Sequence, residues 1–404
     1  MTRELRVLHV LNGAGGGAAL STLGLARALE RHGITSAAVC HDAGTSEQRR
    51  QVIETFGGRV SFLPLYLWNK KLRAPTWKRP LLELHQLWRT GATRRSTRAV
   101  AAAAREYAAD LIHSNSIVLL DGACAARRCG VPHLWHVREA LGPGNPFRLP
   151  LEGRGFGWVT RHMAQCVVAN SETCARAMQG WVSTERLEII PNGIDIDHFV
   201  VHEHVDVAER PLNVGMIGNL SARWKKHELF VRAAALVSPD LPLRFAIYGD
   251  APPAAQKRRS AYPQELRELA RKLGLAERLR FAGFVPDPAN IMRELDIVVH
   301  PADGESFGRV AVEGLASGLP VVGVNRGGVA EIVEHEVSGL LVPANDARAL
   351  ASAVERLASD RELRRRMGEA GRRRARERYS LEGYADGFAR LYRRMLETKR
   401  DGAK

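Results

Sequence analysis

The chain has 404 residues, of which 45% are hydrophobic, and it contains no run of 18 uninterrupted apolar residues. This pattern excludes a membrane-spanning chain and indicates a soluble globular protein, long enough for two domains with sizeable cores. The first apolar run, residues 5–11, ends at glycines and lacks the length and cleavage site of an export signal, so we expect a cytoplasmic protein. The five cysteines form no C-x-x-C pair, which is typical of reduced, structural thiols.

The net charge of +15 is unevenly distributed. Basic side chains outnumber acidic ones most strongly in residues 68–105 and 361–404. Such patches attract an anionic partner, which is a nucleic acid, a phospholipid surface or a phosphorylated substrate. A nucleic-acid binder is indicated by charge alone, because the sequence has no basic recognition helix, zinc motif or aromatic-strand motif.

Apolar runs of strand length alternate with helical segments along the chain. The first series of predicted strands comprises residues 5–11, 36–40, 59–65, 110–114, 132–137, 166–171 and 187–191. The second series comprises residues 212–220, 243–250, 279–285, 296–301, 320–325 and 339–343. This alternation predicts an α/β fold of two Rossmann-like domains, each built on a doubly wound parallel sheet. The predicted boundary lies near residues 197–211, and a final helix at 381–398 begins after Ser380 as its N-cap.

A glycine-rich loop, NGAGGGAAL, follows the first predicted strand. If the two domains face each other, this loop borders a cleft at the carboxyl ends of the sheets, where open α/β sheets bind ligands. Its glycines allow backbone N–H groups to approach an anionic or sugar ligand before a helix that we expect from Ala18. The loop lacks the spacing G-x-G-x-x-G, and no acid is well placed about 20 residues further on, so an NAD enzyme is the weaker alternative.

A second candidate loop lies in GMIGNLSARWKKHELF. It contains the end of a strand, a turn at Gly218, and then Lys225 and Lys226 at the opening of a helix. Lysine charge added to the free backbone donors of a helix start suits a diphosphate. The alternative is a solvated helix start.

Two glutamates in HPADGESFGRVAVEG are separated by seven residues. Glu305 is predicted on the loop after a strand, and Glu313 about one turn into a helix that begins near Arg309. We expect the backbone N–H groups of residues 306–309 to point into the cleft beside both carboxylates. One carboxylate would bind sugar hydroxyls and the other ribose hydroxyls, while the amides and the lysine hold the phosphates. The pattern therefore predicts a nucleotide-sugar site.

Over almost its full length the sequence resembles the family 4 retaining glycosyltransferases of the GT-B fold. The motifs that carry the resemblance are the paired glutamates, IIPNGIDIDHF, EGLASGLPVVGVNRGGVAEIV and VSGLLVPANDARAL. It implies two Rossmann-like domains facing across a cleft, with an acceptor-binding domain at 1–200 and a nucleotide-sugar-binding domain at 209–378. It also implies a C-terminal helix at 379–404 that crosses back to the N-terminal domain.

The resemblance also implies an activity. The family moves a hexose-type sugar from a nucleoside-diphosphate sugar to a hydroxyl of a glycan or lipid-linked acceptor, as in the synthesis of cell-surface polysaccharide or glycolipid. The anomeric configuration is retained, no metal is needed, and the leaving phosphate helps to deprotonate the acceptor. Apart from the donor substrate itself, no cofactor is expected.

Individual residues take expected roles from the same resemblance. Glu305 contacts the donor sugar, Lys225 contacts the diphosphate, and His136 orients the donor sugar; these three are the expected catalytic residues. The other expected donor-binding residues are Gly16, Gly17, Gly218, Asn219, Arg223, Ser306, Phe307, Gly308, Arg309 and, at the ribose, Glu313. The expected acceptor-binding residues are Gly15, His113, Asn115 and Arg138. A buried structural histidine is the alternative for His136.

One position departs from the family's pattern. The family often has arginine directly after the glycine at the Gly218 position, and this chain has Asn219. Arg223 would supply the missing charge if its guanidinium reached the diphosphate; otherwise the donor phosphates are held less tightly or the donor is unusual. The departure keeps open a protein that binds a donor without transferring sugar, either epimerase-like or regulatory.

No metal site is predicted. Asp195-Ile196-Asp197 resembles the D-x-D metal motif of the other large glycosyltransferase fold, but it lies in the PNGID turn, which Asp195 would cap. His202 and His204 lack a third ligand at metal spacing and are assigned to the linker.

Residues 66–95 interleave Trp68, Trp77 and Trp88 with basic side chains, in the half that holds acceptors in this fold. Aromatic and basic segments of this kind suit a membrane interface. We therefore expect peripheral attachment to anionic lipid at the inner membrane face, and a lipid-linked or membrane-proximal acceptor. The alternative is a solvated helical insertion whose tryptophans pack on the domain.

Overall fold

The computed structural model describes residues 4–67, 94–139, 154–200, 208–250 and 261–401. The chain divides into two compact units, unit 1 (1–193 and 381–404) and unit 2 (194–380). Within the described ranges, no helix combines the length and the apolar composition needed to cross a membrane. The predictions made for residues 68–93 and for His202 and His204 lie outside the described residues.

Unit 1 is built on a seven-stranded sheet in which neighbouring strands are parallel. Its strands are β1 (Leu5–Leu11), β2 (Ile34–His41), β3 (Val60–Leu63), β4 (Leu111–Ser114), β5 (His133–Val137), β6 (Cys166–Ala169) and β7 (Leu187–Ile189). Their order is β3-β2-β1-β4-β5-β6-β7, so the chain winds outward in both directions from the sheet centre. The predicted doubly wound parallel sheet is confirmed.

Helices connect the strands of unit 1. They are α1 (Gly16–Leu29), α2 (Ser46–Phe56), α3 (94–106), α4 (Leu120–Cys129), α5 (Arg154–Met163) and α6 (Glu172–Ala177). The expectation that α1 begins at Ala18 is wrong by two residues, because α1 begins at Gly16. Gly16 enters the helix with a left-handed φ of 85°, which glycine adopts without strain. A capping box between Thr45 and Gln48 starts α2.

Unit 2 is built on a six-stranded parallel sheet. Its strands are β8 (Leu212–Ile217), β9 (Leu243–Tyr248), β10 (Leu279–Gly283), β11 (Ile297–His300), β12 (Val321–Val324) and β13 (Gly339–Val342). Its helices are α7 (His227–Leu236), α8 (Tyr262–Lys272), α9 (Pro288–Glu294), α10 (Arg309–Ala316), α11 (Val329–Ile332), α12 (Ala347–Ser359) and α13 (Arg361–Tyr379). The strand order, β10-β9-β8-β11-β12-β13, again confirms a doubly wound sheet.

The last helix, α14 (Leu381–Asp401), belongs to unit 1. Its aromatic residues Tyr384, Phe388 and Tyr392 repeat every four positions and are buried in one core with Val7 and Leu25. The C-terminal helix therefore crosses back to the N-terminal part of the chain, as predicted. The predicted domain bounds themselves stay predictions.

The winding of each sheet fixes where a ligand would bind. The direction of winding reverses between β1 and β4 in unit 1 and between β8 and β11 in unit 2. Open α/β sheets bind ligands outside the carboxyl ends of the strands at such a reversal. The glycine-rich loop follows β1, Gly218 follows β8, and the Glu305 loop follows β11. In each unit, the motif loops predicted from sequence thus lie at the edge of the sheet that suits a ligand.

Candidate functional site

The loops after β8 and β11 bring Lys225 and Glu305 into contact. Lys225 ends a short 3-10 helix, and the following Lys226 adopts a left-handed φ of 60° before α7 begins. The Lys225 ammonium donates a hydrogen bond to the Glu305 carboxylate, and the two side chains are 16% and 10% exposed. The Trp224 ring centroid lies 4.4 Å from Lys225 Nζ, close enough for a cation–π contact. Two residues predicted to bind different parts of a donor therefore form one charged pair.

His300, a residue for which no role was predicted, lies beside this pair. It ends β11, is fully buried, and its Nε2 lies 3.4 Å from Glu305 Oε2. Neither ring nitrogen of His300 has a hydrogen-bond partner in the described part of the chain. The first residue of α7, His227, is also fully buried, and its Nε2 lies 3.4 Å from the Gly218 carbonyl oxygen.

Burial and charge together set the protonation of this cluster. Burial alone would raise the pKa of Glu305, but the Lys225 ammonium and the His300 ring lower it to about 2. Burial lowers the pKa of His300, and it lowers the pKa of His227 to about 4. Near neutral pH the cluster therefore holds an ionised carboxylate and two neutral imidazoles.

Close backbone packing fixes the loop that carries Glu305. The Gly328 N–H donates to the Glu305 carbonyl oxygen at 2.8 Å, and a Cβ at Gly328 would lie 2.2 Å from the Phe307 carbonyl oxygen. Gly308, which precedes α10, has a φ of 102°, a backbone conformation that residues other than glycine rarely adopt. The Phe307 ring packs edge-on against Tyr379 in the core, with centroids 5.9 Å apart. The predicted donor contact of Phe307 stays a prediction, and its ring is occupied with packing.

Glu313 lies about one turn into α10, as expected, and is 3% exposed. Its Oε1 accepts a hydrogen bond from Arg309 Nε at 2.7 Å. Burial raises the pKa of Glu313, and the Arg309 charge opposes this rise without reversing it. The carboxylate predicted to bind ribose is thus paired with another predicted donor residue, while Ser306 lies half-buried in the preceding loop.

Asn219, which departs from the family's pattern, and Arg223, which is expected to compensate for it, both make contacts with neighbouring residues. Asn219 Oδ1 accepts hydrogen bonds from the N–H and the hydroxyl of Ser221, at 2.8 and 2.7 Å. Arg223 Nη2 lies 2.6 Å from Glu265 Oε2, and its guanidinium covers the Tyr262 ring at 4.2 Å. Arg223 is therefore held in an exposed ion pair, and its predicted compensation for Asn219 stays a prediction.

In unit 1, the predicted glycines form the turn from β1 into α1. Gly15 is the N-cap residue of α1, and Gly16 and Gly17 begin the helix. A Cβ at Gly15 would lie 2.5 Å from Gln48 Nε2 of α2, so the two helix starts approach closely here. The predicted ligand contacts of these glycines stay predictions.

A buried guanidinium, that of Arg138, joins several elements of unit 1. Arg138 follows β5 and is 6% exposed. Its Nη1 donates to Asn192 Oδ1 at 2.6 Å, and its Nη2 donates to Asn115 Oδ1 at 3.3 Å and to the Tyr384 hydroxyl of α14 at 3.0 Å. Two predicted acceptor residues, Arg138 and Asn115, therefore meet in one polar network at the end of β4 and β5.

Two predicted histidines lie deeper in the same region. His113 Nε2 is 3.2 Å from His136 Nδ1, and His113 Nδ1 is 2.7 Å from the Tyr392 hydroxyl. Both imidazoles are fully buried, and burial holds the pKa of each well below its usual value. Neither side chain presents surface to solvent in this conformation, which is what the structural alternative for His136 expects. Their predicted catalytic and acceptor-binding roles stay predictions.

Sequence reasoning missed His300, Tyr384, Tyr392 and Glu139. Glu139 is buried beside Arg138, and its carboxylate accepts hydrogen bonds from the Ser116 hydroxyl and the Ile117 N–H. A signal existed for the tyrosines, because the aromatic residues of the last helix repeat every four positions. A signal existed for His300 as well, because one polar residue closes an otherwise apolar strand at the ligand-binding edge.

The D-x-D resemblance has a structural explanation. Asp195 Oδ1 accepts a hydrogen bond from the Asp197 N–H at 3.2 Å, so Asp195 caps its own turn, as predicted. Asp197 in turn pairs with Arg376 at 2.9 Å. Across the described ranges, no group of three or more His, Cys, Asp or Glu side chains is arranged to hold a metal ion.

Two family models match the chain in succession. Glycosyltransferase Family 4 matches residues 15–198, and Glycosyl transferases group 1 matches residues 201–374. The chain belongs to glycosyltransferase family 4. The two matches to this family meet within eight residues of the division between unit 1 and unit 2.

Curated relatives of this family 4 chain align over part of their length. A D-inositol 3-phosphate glycosyltransferase of Corynebacterium urealyticum is 32% identical over 254 residues, which cover 59% of this chain and 59% of that relative. An N-acetyl-alpha-D-glucosaminyl L-malate synthase of Bacillus anthracis is 26% identical over 178 residues, or 44% of each chain. The chain thus spans less than two thirds of the length of either relative.

Solved structures resemble the family 4 chain over nearly its whole length. The Anabaena protein Alr3699/HepE, solved in complex with UDP and glucose, gives a TM-score of 0.76 at 23% identity and covers 96% of this chain and 99% of its own. Sucrose-phosphate synthase of Thermosynechococcus elongatus gives a TM-score of 0.71 at 21% identity, over 97% and 100% of the two chains. These likenesses establish the GT-B fold.

Proposed function

We propose that this family 4 chain is a retaining glycosyltransferase that moves a hexose-type sugar from a nucleoside-diphosphate sugar to a hydroxyl of a glycan or lipid-linked acceptor. The observation that carries the proposal is the partly buried Lys225–Glu305 pair at the carboxyl ends of β8 and β11. A lysine charge beside a carboxylate suits the two parts of such a donor, its diphosphate and its sugar hydroxyls. The neighbour that holds UDP and glucose, and the relative named for glycosyl transfer, support the same reading.

Each charged group has a separate task in this proposal. Lys225 stabilises the negative charge that develops on the leaving diphosphate, together with N–H groups at the start of α10. Glu305 holds a sugar hydroxyl, Glu313 holds the ribose, and His136 orients the sugar. The departing phosphate removes the acceptor proton on the same face, so that retention needs no carboxylate nucleophile. Because lysine supplies the positive charge, the reaction needs no metal.

The acceptor would bind in unit 1 near Gly15, His113, Asn115 and Arg138. Relatives named for inositol 3-phosphate and L-malate make small hydroxyl-bearing anions part of the acceptor panel, beside glycans and lipid-linked sugars. Peripheral attachment of a cytoplasmic protein at the inner membrane face is proposed from the aromatic and basic side chains of residues 66–95. Co-sedimentation with anionic liposomes at physiological salt tests this attachment, and a protein that stays in the supernatant would contradict it.

The second candidate function is donor binding without transfer, either epimerase-like or regulatory. Asn219 stands where the family often has arginine, and Arg223 pairs with Glu265 in this structure. A site with one lysine as its main charge on the diphosphate would stabilise the leaving group less than a lysine–arginine pair would. Such a protein would bind the donor and leave its sugar in place.

A donor screen tests both candidates. Purified protein is incubated in EDTA with UDP-, GDP-, ADP- and dTDP-sugars, and the thermal midpoint and the release of sugar are recorded. We expect one donor to raise the midpoint of the wild type, and Glu313→Ala to lose that rise because it loses the ribose contact. Glu369→Ala removes an exposed carboxylate of α13 and serves as the matched control, which should respond like the wild type.

The outcomes separate the candidates. A thermal shift followed by sugar release or transfer supports the glycosyltransferase. A shift without release from any donor, with every acceptor of the panel, favours the protein that binds without transfer. If no donor changes the midpoint, the nucleotide-sugar site itself is wrong.

A further inference from the structure

The Lys225–Glu305 contact conflicts with the tasks that the proposed function gives to the two residues. The ammonium is meant for the donor diphosphate, yet in this structure it donates to the Glu305 carboxylate. A diphosphate that draws the ammonium toward itself leaves Glu305, whose side chain is 10% exposed, short of its positive partner. A buried carboxylate without a partner is unfavourable. The sugar hydroxyl would donate a hydrogen bond to Glu305 but bring no positive charge, so donor binding favours a replacement cation beside the carboxylate.

His300 is placed to be that partner. Its Nε2 is 3.4 Å from Glu305 Oε2, the same oxygen that contacts Lys225. The ring is fully buried, and within the described ranges neither nitrogen makes a hydrogen bond. An imidazolium at this position would donate from Nε2 to the carboxylate, since a small shift brings the two atoms to hydrogen-bond distance.

The groups that face His300 come from three elements. They are Lys225 from the loop after β8, His227 from the start of α7, and Glu305 from the loop after β11. The lysine charge opposes a proton on His300, and the glutamate charge favours one. A bound diphosphate neutralises the lysine and adds negative charge, so both changes favour the proton. His227 is the poorer candidate, because its Nε2 faces the Gly218 carbonyl oxygen and not a carboxylate.

We propose that His300 takes up a proton from solvent when a nucleoside-diphosphate sugar binds, and that the imidazolium then replaces Lys225 as the partner of Glu305. The inference rests on the proposed function, because it needs a diphosphate at Lys225. His300 is a positioning residue in this scheme: it holds the Glu305 carboxylate toward the sugar without touching the donor. The donor site thus exchanges one buried ion pair for another as it fills.

Proton uptake makes donor affinity depend on pH. In the free protein burial keeps the imidazole of His300 neutral, and the bound diphosphate raises its pKa. Between the free and the bound pKa, each donor that binds brings a proton with it, so affinity increases as pH falls. From pH 8 to pH 6 we expect UDP-glucose to bind about threefold to tenfold more tightly, since full linkage would give about tenfold per pH unit.

Titration calorimetry with UDP-glucose, or with the sugar nucleotide that the donor screen selects, measures this uptake directly. Near pH 6, the binding enthalpy is compared in two buffers of different ionisation enthalpy, because the difference gives the protons exchanged per donor. The diphosphate of a sugar nucleotide is a diester that does not titrate in this range. Any proton taken up on binding therefore binds to the protein and not to the donor. We expect an uptake of about one-half to one proton in the wild type.

Two variants identify the residue that takes up the proton. His300→Gln keeps a polar side chain without a basic nitrogen, and we expect it to abolish the uptake, remove the pH dependence of affinity and raise KM more than it lowers kcat. His335→Gln is the matched control, because His335 is in the same unit with 52% of its side chain exposed. It should behave like the wild type.

Each outcome either supports or overturns proton uptake by His300. Donor binding with the same enthalpy in both buffers overturns the inference and leaves the proposed function intact. Uptake that persists in His300→Gln also overturns it, since the proton then goes elsewhere. If no sugar nucleotide binds, the proposed function fails and the inference fails with it. The wild-type measurement needs no variant, so poor folding of His300→Gln does not prevent a decision.

Discussion

At the scale of single residues, the contact between Lys225 and Glu305 links the stability of unit 2 to its proposed chemistry. In Lys225→Met, the carboxylate stays buried and loses the ammonium that lowers its pKa. We expect the free energy of unfolding near pH 7 to fall by about 2–4 kcal/mol, because breaking one partner of a buried pair leaves an uncompensated charge. The double variant Lys225→Met with Glu305→Gln should recover most of this loss. Urea unfolding of the wild type, Lys225→Met and the double variant measures these differences.

The pH dependence of the same loss provides its control. The pKa of Glu305 is about 2 in the folded protein and 4.5 by ordinary value, so its stabilisation is present above pH 4.5 and is lost as pH falls toward 2. The difference between wild type and Lys225→Met should therefore shrink below pH 4.5. Lys272→Met, at an exposed position that ends α8, should differ little from wild type at any pH. A difference that stays constant down to pH 3 would contradict the assignment.

Residue types and strand ends make part of this site predictable. Glu305 and Lys225 can be assigned from sequence, since each follows a strand end and has the charge that a nucleotide sugar needs. Their mutual contact cannot, because it depends on the path of two loops that are 80 residues apart in sequence. The pairing of Glu313 with Arg309 is closer to prediction, because positions i and i+4 of a helix are neighbours.

At the scale of elements, the turn that follows β12 determines the position of the Glu305 loop. Gly328 has an ordinary φ of −63°, so alanine there meets no conformational strain. Its Cβ would nevertheless lie 2.2 Å from the Phe307 carbonyl oxygen, and one of the two backbones must move. We expect Gly328→Ala to lower the free energy of unfolding by about 2–3 kcal/mol and to weaken donor binding at least as much as Glu313→Ala does.

A glycine with looser surroundings is the control for this change. A Cβ at Gly387, within α14, would meet a side-chain methyl of Ile190 at 3.3 Å, which can shift. Gly387→Ala should therefore keep donor binding, as measured by thermal shift with the selected sugar nucleotide. If Gly328→Ala binds the donor as well as Gly387→Ala, the turn does not position the loop.

Strands are more predictable than the turns between them. The apolar runs of β11 and β12 are buried on both faces, and the sequence reveals both as short runs of valine and isoleucine. The start of α1 is less predictable, because it depends on Gly16 adopting a left-handed φ that glycine permits and does not impose. The contact of Phe307 with Tyr379 depends on how α13 packs against the Glu305 loop, and the local sequence around Phe307 does not determine that packing.

At the scale of the whole molecule, the chain alternates strand and helix twice over, and that alternation predicts two doubly wound sheets. Neither alternation nor motif spacing specifies that α14 returns to unit 1; the resemblance to a family does. The physical reason for the return is the aromatic face of α14, which is buried in the core of unit 1 with Val7 and Leu25. A helix that presents such a face requires an apolar surface to cover it.

The buried histidines make the two units lose different amounts of stability at acidic pH. Unit 1 buries four of those described, His9, His113, His133 and His136, and unit 2 buries His227 and His300. Burial lowers the pKa of all six, to about 3 for His9 and His133 and to about 4 for His227. Below the ordinary value of 6.5, the unfolded chain binds protons at these residues and the folded chain does not. The free energy of unfolding therefore falls as pH falls below 6.5.

Unit 1 should lose stability at least twice as fast as unit 2. Between pH 6.5 and 5.5, a histidine that stays neutral in the folded chain removes about 1 kcal/mol. The four of unit 1 and His227 of unit 2 meet this condition, while His300 adds at most the same amount. Six of the seven tryptophans belong to residues 1–193, and only Trp224 belongs to unit 2. Tryptophan fluorescence in urea thus follows unit 1, while far-ultraviolet circular dichroism follows both units. The fluorescence midpoint should fall further than the dichroism midpoint on acidification, and equal shifts would mean that the buried histidines do not set the acid limit of unit 1.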